Sequence, residues 1–381
     1  MRNSLGLLLR RGTVGVFSLA SLWAPGGPAT AAPAAPREAE RVPFTQRYHA
    51  LQHGGIVRAA NSSITCRGTA PQRPPSSAPN AAAPAPAAPS AACTSARAGG
   101  AVANNDFDMF YIDVDSDPNT YNSSRAEVRL PRGSRVSHAR LYWGGNLRVG
   151  EQKPPADNGR VLIAEPGGEY KAVLADSVVG HRVAHGADAY QASADVTRLV
   201  RASGSGAYTV AQVNVAMGRS AAGAWGGWTL MVAYEKKAEP LRHLAIWDGF
   251  DSLGAGRDRT VRLRGVKFPE KAEGRAGLVA YNGDRGRRGD TVTVAPGRGR
   301  AVALANGANP RDDVLNSTIS EPGSRAAGRT PAYPNTLGYD SDVFDLGPVL
   351  RRGGDGLRFR LESRRDAAWV GALFVAVDAK R

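Results

Sequence analysis

The stretch Trp369-Val370-Gly371-Ala372-Leu373-Phe374-Val375-Ala376-Val377 has no polar side chain, and Gly227-Trp228-Thr229-Leu230-Met231-Val232-Ala233-Tyr234 has almost none. A strand with one wet face alternates apolar and polar residues, because successive side chains point to opposite sides of the sheet. Runs that lack this alternation read as central strands packed on both faces. Two other segments do alternate, Thr260-Val261-Arg262-Leu263-Arg264 and Leu357-Arg358-Phe359-Arg360-Leu361-Glu362, as strands with one solvated face. Glycine and proline clusters at Pro131-Arg132-Gly133, Pro166-Gly167-Gly168 and Pro296-Gly297 punctuate the pattern. Many short strands between regular turns predict an all-β chain, a β-sandwich or jelly-roll-like domain over residues 101–381. No tandem repeat of useful length occurs.

One short helix is expected at Ala194-Asp195-Val196-Thr197-Arg198-Leu199-Val200, with Asp195 capping its first turn. Gly204 and Gly206 close that turn before the strand Tyr208-Thr209-Val210-Ala211-Gln212-Val213. This order of Asp-Val-Thr, helical turn, glycine and strand resembles a segment of jelly-roll modules, many of which bind carbohydrate.

Upstream of the sandwich the chain changes character. Met1-Arg2, Arg10-Arg11, the apolar stretch from Val14 to Ala24 and Ala29-Thr30-Ala31 have the basic, apolar and small-x-small order of a secretory signal peptide, residues 1–31. The apolar stretch is well short of the roughly 20 residues a membrane helix needs, so no transmembrane segment is expected once the signal is removed. General secretion fits better than the twin-arginine route, because Gly12-Thr13-Val14 lacks much of the usual flanking pattern. A polar lead-in (32–47) and an N-terminal strand segment (48–66) follow. Residues 67–100 then form a Pro/Ala-rich linker that cannot bury enough apolar surface to order itself. Cys66 and Cys93, an even pair in an exported chain, predict a disulfide that closes this linker into a loop.

The formal net charge of the 381-residue chain is +15. Dense positive charge attracts phosphate, yet the arginines are scattered along the whole chain rather than gathered in one patch. For an exported protein the anionic partners at hand are cell-wall polymers and lipid headgroups, so wall polymers or glycans are the expected partners and nucleic acid is not. The expected localisation is secreted or extracellular, or associated with the cell wall.

Catalytic signatures are missing. His181-Arg182-Val183-Ala184-His185 lacks the glutamate of a zinc protease and is flanked by glycines, which suits a polar turn. No Gly-x-Ser-x-Gly run occurs, and Gly204-Ser205-Gly206 lacks the strand, elbow and helix of a hydrolase serine. Arg288-Gly289-Asp290 matches an integrin-binding tripeptide but reads as a turn between strands. Among Trp143, Trp225, Trp228, Trp247 and Trp369, the glycine- and alanine-rich surroundings of Trp225 mark it as the exposed one, a candidate ligand-binding residue; the others are expected in the core. A calcium site is expected at Asp113, Asp115, Asp117 and Asn119, where alternating oxygen donors reach a turn, with Asp340 and Asp342 completing the ligand set. The alternative for the aspartates is a solvated turn held by local hydrogen bonds.

Asn104-Asn105-Asp106-Phe107-Asp108-Met109, Asp113-Val114-Asp115-Ser116-Asp117-Pro118, Asn122-Ser123-Ser124, Leu130-Pro131 and Ala139-Arg140-Leu141-Tyr142-Trp143-Gly144-Gly145 together resemble the leading extracellular domain of Gram-positive, actinobacterial conserved-repeat surface proteins, which are adhesin-like. Gly227-Trp228-Thr229-Leu230, Asp248-Gly249-Phe250, Gly283-Asp284, Gly289-Asp290 and Leu337-Gly338-Tyr339-Asp340-Ser341-Asp342 extend the likeness over roughly residues 50–378. The resemblance implies a place, outside the cell, and an architecture more than an activity. The expected function is a secreted, non-enzymatic binding or structural module of the cell envelope. The alternative is a carbohydrate-active protein, either a binding module or a glycoside hydrolase.

Overall fold

The structure is a computed structural model and describes residues 42–68, 91–254, 258–297, 299–323 and 328–380. The expected signal peptide and most of the Pro/Ala-rich segment lie outside the described residues. In chain order the first part supplies β1 (Val42–Ser62), β2 (Ile64–Gly68), α1 (Ala91–Arg97), β3 (Asp108–Tyr111), β4 (Ser123–Val128), β5 (Arg135–Asn146), β6 (Arg160–Ala164), β7 (Lys171–Leu174), β8 (Ser177–Ala184), β9 (Ala187–Asp195), α2 (Thr197–Ser203), β10 (Gly206–Ala211) and β11 (Gly226–Glu235). The second part supplies β12 (Leu241–Ser252), β13 (Arg259–Glu270), β14 (Gly274–Tyr281), β15 (Thr291–Pro296), β16 (Val302–Ala303), β17 (Ile319–Ser320), β18 (Arg329–Thr330), β19 (Tyr339–Asp345), α3 (Gly347–Leu350), β20 (Arg352–Glu362) and β21 (Trp369–Asp378). The chain is all-β in class, as expected, although the described residues hold three short α-helices where one was anticipated.

The long strand β1 organises the molecule. Residues 42–53 pair with β12, and residues 54–62 pair with β11 on the other side. Gly54 sits at the switch with φ 139°, and a Cβ there would stand 2.0 Å from the Tyr234 carbonyl oxygen, so glycine is required. One wing runs β17-β19-β14-β21-β12-β1 and the other β1-β11-β5-β9-β8. The expected lead-in of residues 32–47 therefore already contains the start of a central strand.

Three apolar layers explain the burial. Leu244, Ile246, Val279, Phe374 and Trp369 from the first wing meet Met231, Ala233, Tyr142 and Trp225 from the second, so the wings face each other. The outer face of the second wing buries Leu141, Trp143, Trp228 and Leu230 against Val161, Ile163, Tyr208 and Val210 of the sheet β18-β4-β10-β6-β7. The outer face of the first wing buries Leu373, Val375 and Val377 against Leu263, Val294, Phe359 and Leu361 of the sheet β13-β20-β15-β16. Among the described residues the sheets thus form two β-sandwiches back to back, where a single sandwich was expected. β11 and β21 are inner layers with apolar cores on both sides, which is why their sequences lack a polar phase. The two alternating segments pair with each other, Val261 opposite Phe359 and Leu263 opposite Leu357.

Close contact between the wings is polar in places. Gln191 donates to the carbonyls of Gly249 and Gly371, and a Cβ on Gly371 would stand 1.8 Å from the Gln191 Oε1. Asp195 ends β9, and its carboxylate accepts the Thr197 N–H at 2.8 Å where α2 begins, about three residues later than expected. Cys66 and Cys93 form the predicted disulfide, wholly buried in the core that the second wing shares with the sheet β18-β4-β10-β6-β7, and tie β2 to α1. His185 and Gly186, both at positive φ, form the two-residue turn of the β8–β9 hairpin, whereas residues 181–184, expected in the same polar turn, belong to strand β8.

Candidate functional site

The outer face of the sheet β4-β10-β6 is built by the period of two. Ala126, Val128, Tyr208 and Val210 point into the core, which leaves Arg125, Ala207 and Thr209 facing outward. Two loops rise beside this face, the aspartate turn after β3 and the Glu165-Pro166-Gly167-Gly168-Glu169-Tyr170 turn between β6 and β7. Together they enclose an open cleft of about 730 Å³, lined among others by Asp115, Asp117, Arg125, Glu165, Glu169 and Tyr170.

Each loop is held by its own carboxylates. The Ser123 hydroxyl donates to Asp113 at 2.8 Å, Asp117 N–H donates to Asp115 at 2.8 Å, and Asn119 N–H donates to Asp117 at 2.9 Å. Thr120 and Tyr170 also donate to Asp115 through their hydroxyls. Burial works to raise the Asp115 pKa, but these hydrogen bonds outweigh it and hold the carboxyl below its ordinary value. Tyr170 is pushed upward by burial and by its bond to Asp115, so its hydroxyl stays a donor. Glu165 is lowered by its hydrogen bond from Lys171. Arg125 spans the sheet, donating to the Thr209 hydroxyl at 2.9 Å.

The two halves of the expected calcium ligand set serve different elements. Asp113, Asp115, Asp117 and Asn119 are taken up by the turn just described. Asp340 and Asp342 are buried on β19, where they pin the loop ahead of β17: Asp340 accepts the Thr318 N–H, and Asp342 accepts the Ser320 N–H and the Thr318 hydroxyl. Among the described residues no group of three or more His, Cys, Asp or Glu side chains is arranged to hold a metal ion. The turn alternative accounts for Asp113, Asp115, Asp117 and Asn119, whereas Asp340 and Asp342 are buried strand residues, and Asp340 keeps one carboxylate oxygen without a hydrogen-bond partner.

Trp225 corrects the expectation of an exposed aromatic, because its exposure is 0%. Its ring lies 5.8 Å from that of Tyr281, and Gly338 passes so close that a Cβ there would come within 2.6 Å of Trp225. The small residues around it let the chain fold inward. The other four tryptophans are buried as expected. Asp290 is also wholly buried, so the Arg-Gly-Asp tripeptide is not presented to a partner.

Arg125, Glu165, Glu169 and Tyr170 were missed as site residues. Their only local signal was the turn at Pro166-Gly167-Gly168; their meeting with Asp115 is a product of the fold. No family model and no curated protein matches the chain. Among solved structures it is similar to a chain of the Sulfolobus turreted icosahedral virus, at 9% identity and a TM-score of 0.18, covering 66% of this chain and 86% of that one. It is also similar to the major capsid protein P2 of bacteriophage PM2, at 13% identity and a TM-score of 0.16, covering 69% and 94%. Scores this low carry no argument about what this chain does.

Proposed function

We infer that the protein is a secreted, non-catalytic binding module of the cell envelope, adhesin-like in place, whose cleft over β4, β10 and β6 takes a neutral or amino sugar. The observation that carries this reading is the cleft lining: an aromatic ring at Tyr170 beside Asp115, Asp117, Glu165, Glu169 and Arg125. Sugar rings present apolar C–H faces to aromatics and hydroxyls to carboxylates and guanidinium groups. Four carboxylates against Arg125 and the Lys171 that pairs with Glu165 disfavour an anionic sugar here and favour hydroxyl or ammonium groups. The signal-like start and the +15 charge support an exported protein working near anionic polymers.

Binding is preferred over hydrolysis on electrostatic grounds. A glycosidase needs one carboxyl held protonated as the acid. Asp115 and Glu165 are both shifted the opposite way. A glycan array probed with the purified protein, Tyr170→Ala and Asp115→Asn tests the reading. Retention of one glycan class by the native chain, weakened roughly tenfold or more in both variants, is expected for a lost charge-assisted contact. Equal retention by all three proteins, or none by the native chain, would overturn it.

A further inference from the structure

At the seam between the two sandwiches a second recess, of about 170 Å³, is lined by Arg58, Arg129 and Arg275, with Glu321 as its one carboxylate. Each arginine comes from a different strand region: Arg58 from β1, Arg129 from the end of β4, Arg275 from β14. Arg58 is 5% exposed; it donates to the Ser320 carbonyl at 2.8 Å and lies 3.5 Å from Glu321, while its Nε has no hydrogen-bond partner. Arg129 holds Glu127 at 2.7 Å and is otherwise open to solvent. Arg275 makes no ion pair among the described residues. Arg329 lies near enough that Arg58, after burial, helps push its pKa down to about 10. The neighbouring Asp342 offsets part of this repulsion, and an anion among the guanidinium groups would relieve the rest.

We propose that this recess is a phosphate site that takes the phosphate ester of a polyol or sugar, as found along a phosphodiester-linked polymer. Three guanidinium groups against Glu321 and the Glu127 that pairs with Arg129 leave a net positive charge for an oxyanion, and their planar forks suit the oxygens of a phosphoryl group. A larger recess of about 680 Å³ shares Ile56, Val57 and Arg275 with it and is lined by Tyr234, Glu239 and Asp345 among others. That neighbour has the size and the polar groups for the hydroxyl-bearing part of the ester. The site needs both sandwiches, since β1 and β4 supply two arginines and β14 the third, and ligand sites favour such junctions. It is independent of the sugar cleft, from which it shares no lining residue.

Calorimetric titration of the full chain with glycerol 3-phosphate, inorganic phosphate and glycerol tests this. Glycerol 3-phosphate is expected to bind more tightly than inorganic phosphate, and glycerol not at all. Arg275→Ala and Arg129→Ala, both at exposed positions, are each expected to weaken the ester roughly tenfold, the value of one charge-assisted contact. Asp115→Asn, in the sugar cleft, is expected to leave it unchanged, which separates this site from the one above. Absence of binding by the native chain, equal affinity for ester and inorganic phosphate, or unaltered affinity in both arginine variants would overturn the proposal.

Discussion

Trp225 shows how a single residue is decided by its surroundings. In sequence it stands in a run of glycine and alanine that suggests a loop tip; in the fold those small residues are what allow the ring to enter the layer between the wings. Removing it leaves a cavity among Tyr281, Gly338 and the wing residues. Trp225→Ala is expected to cost about 3 to 5 kcal/mol of stability, as large aromatic truncations in cores do. Urea denaturation measures this, and glycan retention by the fraction that remains folded should match the native chain, because Trp225 lies between the wings and not in the cleft lining. A loss below about 1 kcal/mol would mean that the ring is not packed as described.

At the scale of elements, strand identity was legible because periodicity is local, whereas partnership was not. Val261 and Phe359 are partners nearly a hundred residues apart, and nothing in either alternating segment names the other. The disulfide is the exception, since two cysteines allow one pairing. It adds little to the hold on β1, which the ladders to β11 and β12 already secure. With a separation of 27 residues the bond is expected to contribute about 3 to 4 kcal/mol on a chain-entropy model. Replacing both cysteines by alanine should lower the denaturation midpoint accordingly while leaving β1 paired. Hydrogen exchange that shows β1 amides losing protection ahead of β2 and α1 would contradict this.

For the molecule as a whole the most consequential feature is a set of carboxyl groups gathered by the fold into one buried region. Asp284, Asp290, Asp313, Asp340, Asp342 and Asp366 are each at most 6% exposed. Burial raises all six pKa values, with Asp284 at about 6 and the interacting Asp290 and Asp366 at about 7 and about 8. Raised folded values mean that the native state keeps protons which the unfolded chain has already lost above about pH 4. Stability therefore falls as pH rises through the folded values. His138 and His243 are lowered by burial and oppose this only below about pH 6.5, where the unfolded histidines take up protons. Between pH 6.5 and 8.5 the melting temperature is expected to drop, and Asp290→Asn should flatten the slope. A melting temperature that rises over that interval in the native chain would refute the assignment. Retention on isolated walls is a second whole-molecule property: if the net charge of +15 draws the chain to polyanions, retention should fall steeply once salt brings the Debye length below about 8 Å. Salt-independent retention would count against it. The sequence was sufficient for the class of the fold, the inner and outer strands and the disulfide, because burial on one face or two is written in local alternation. It did not reveal that there are two sandwiches, that Asp115 meets Tyr170, or that six aspartates share one interior, because these depend on which distant segments the strand ladders bring side by side.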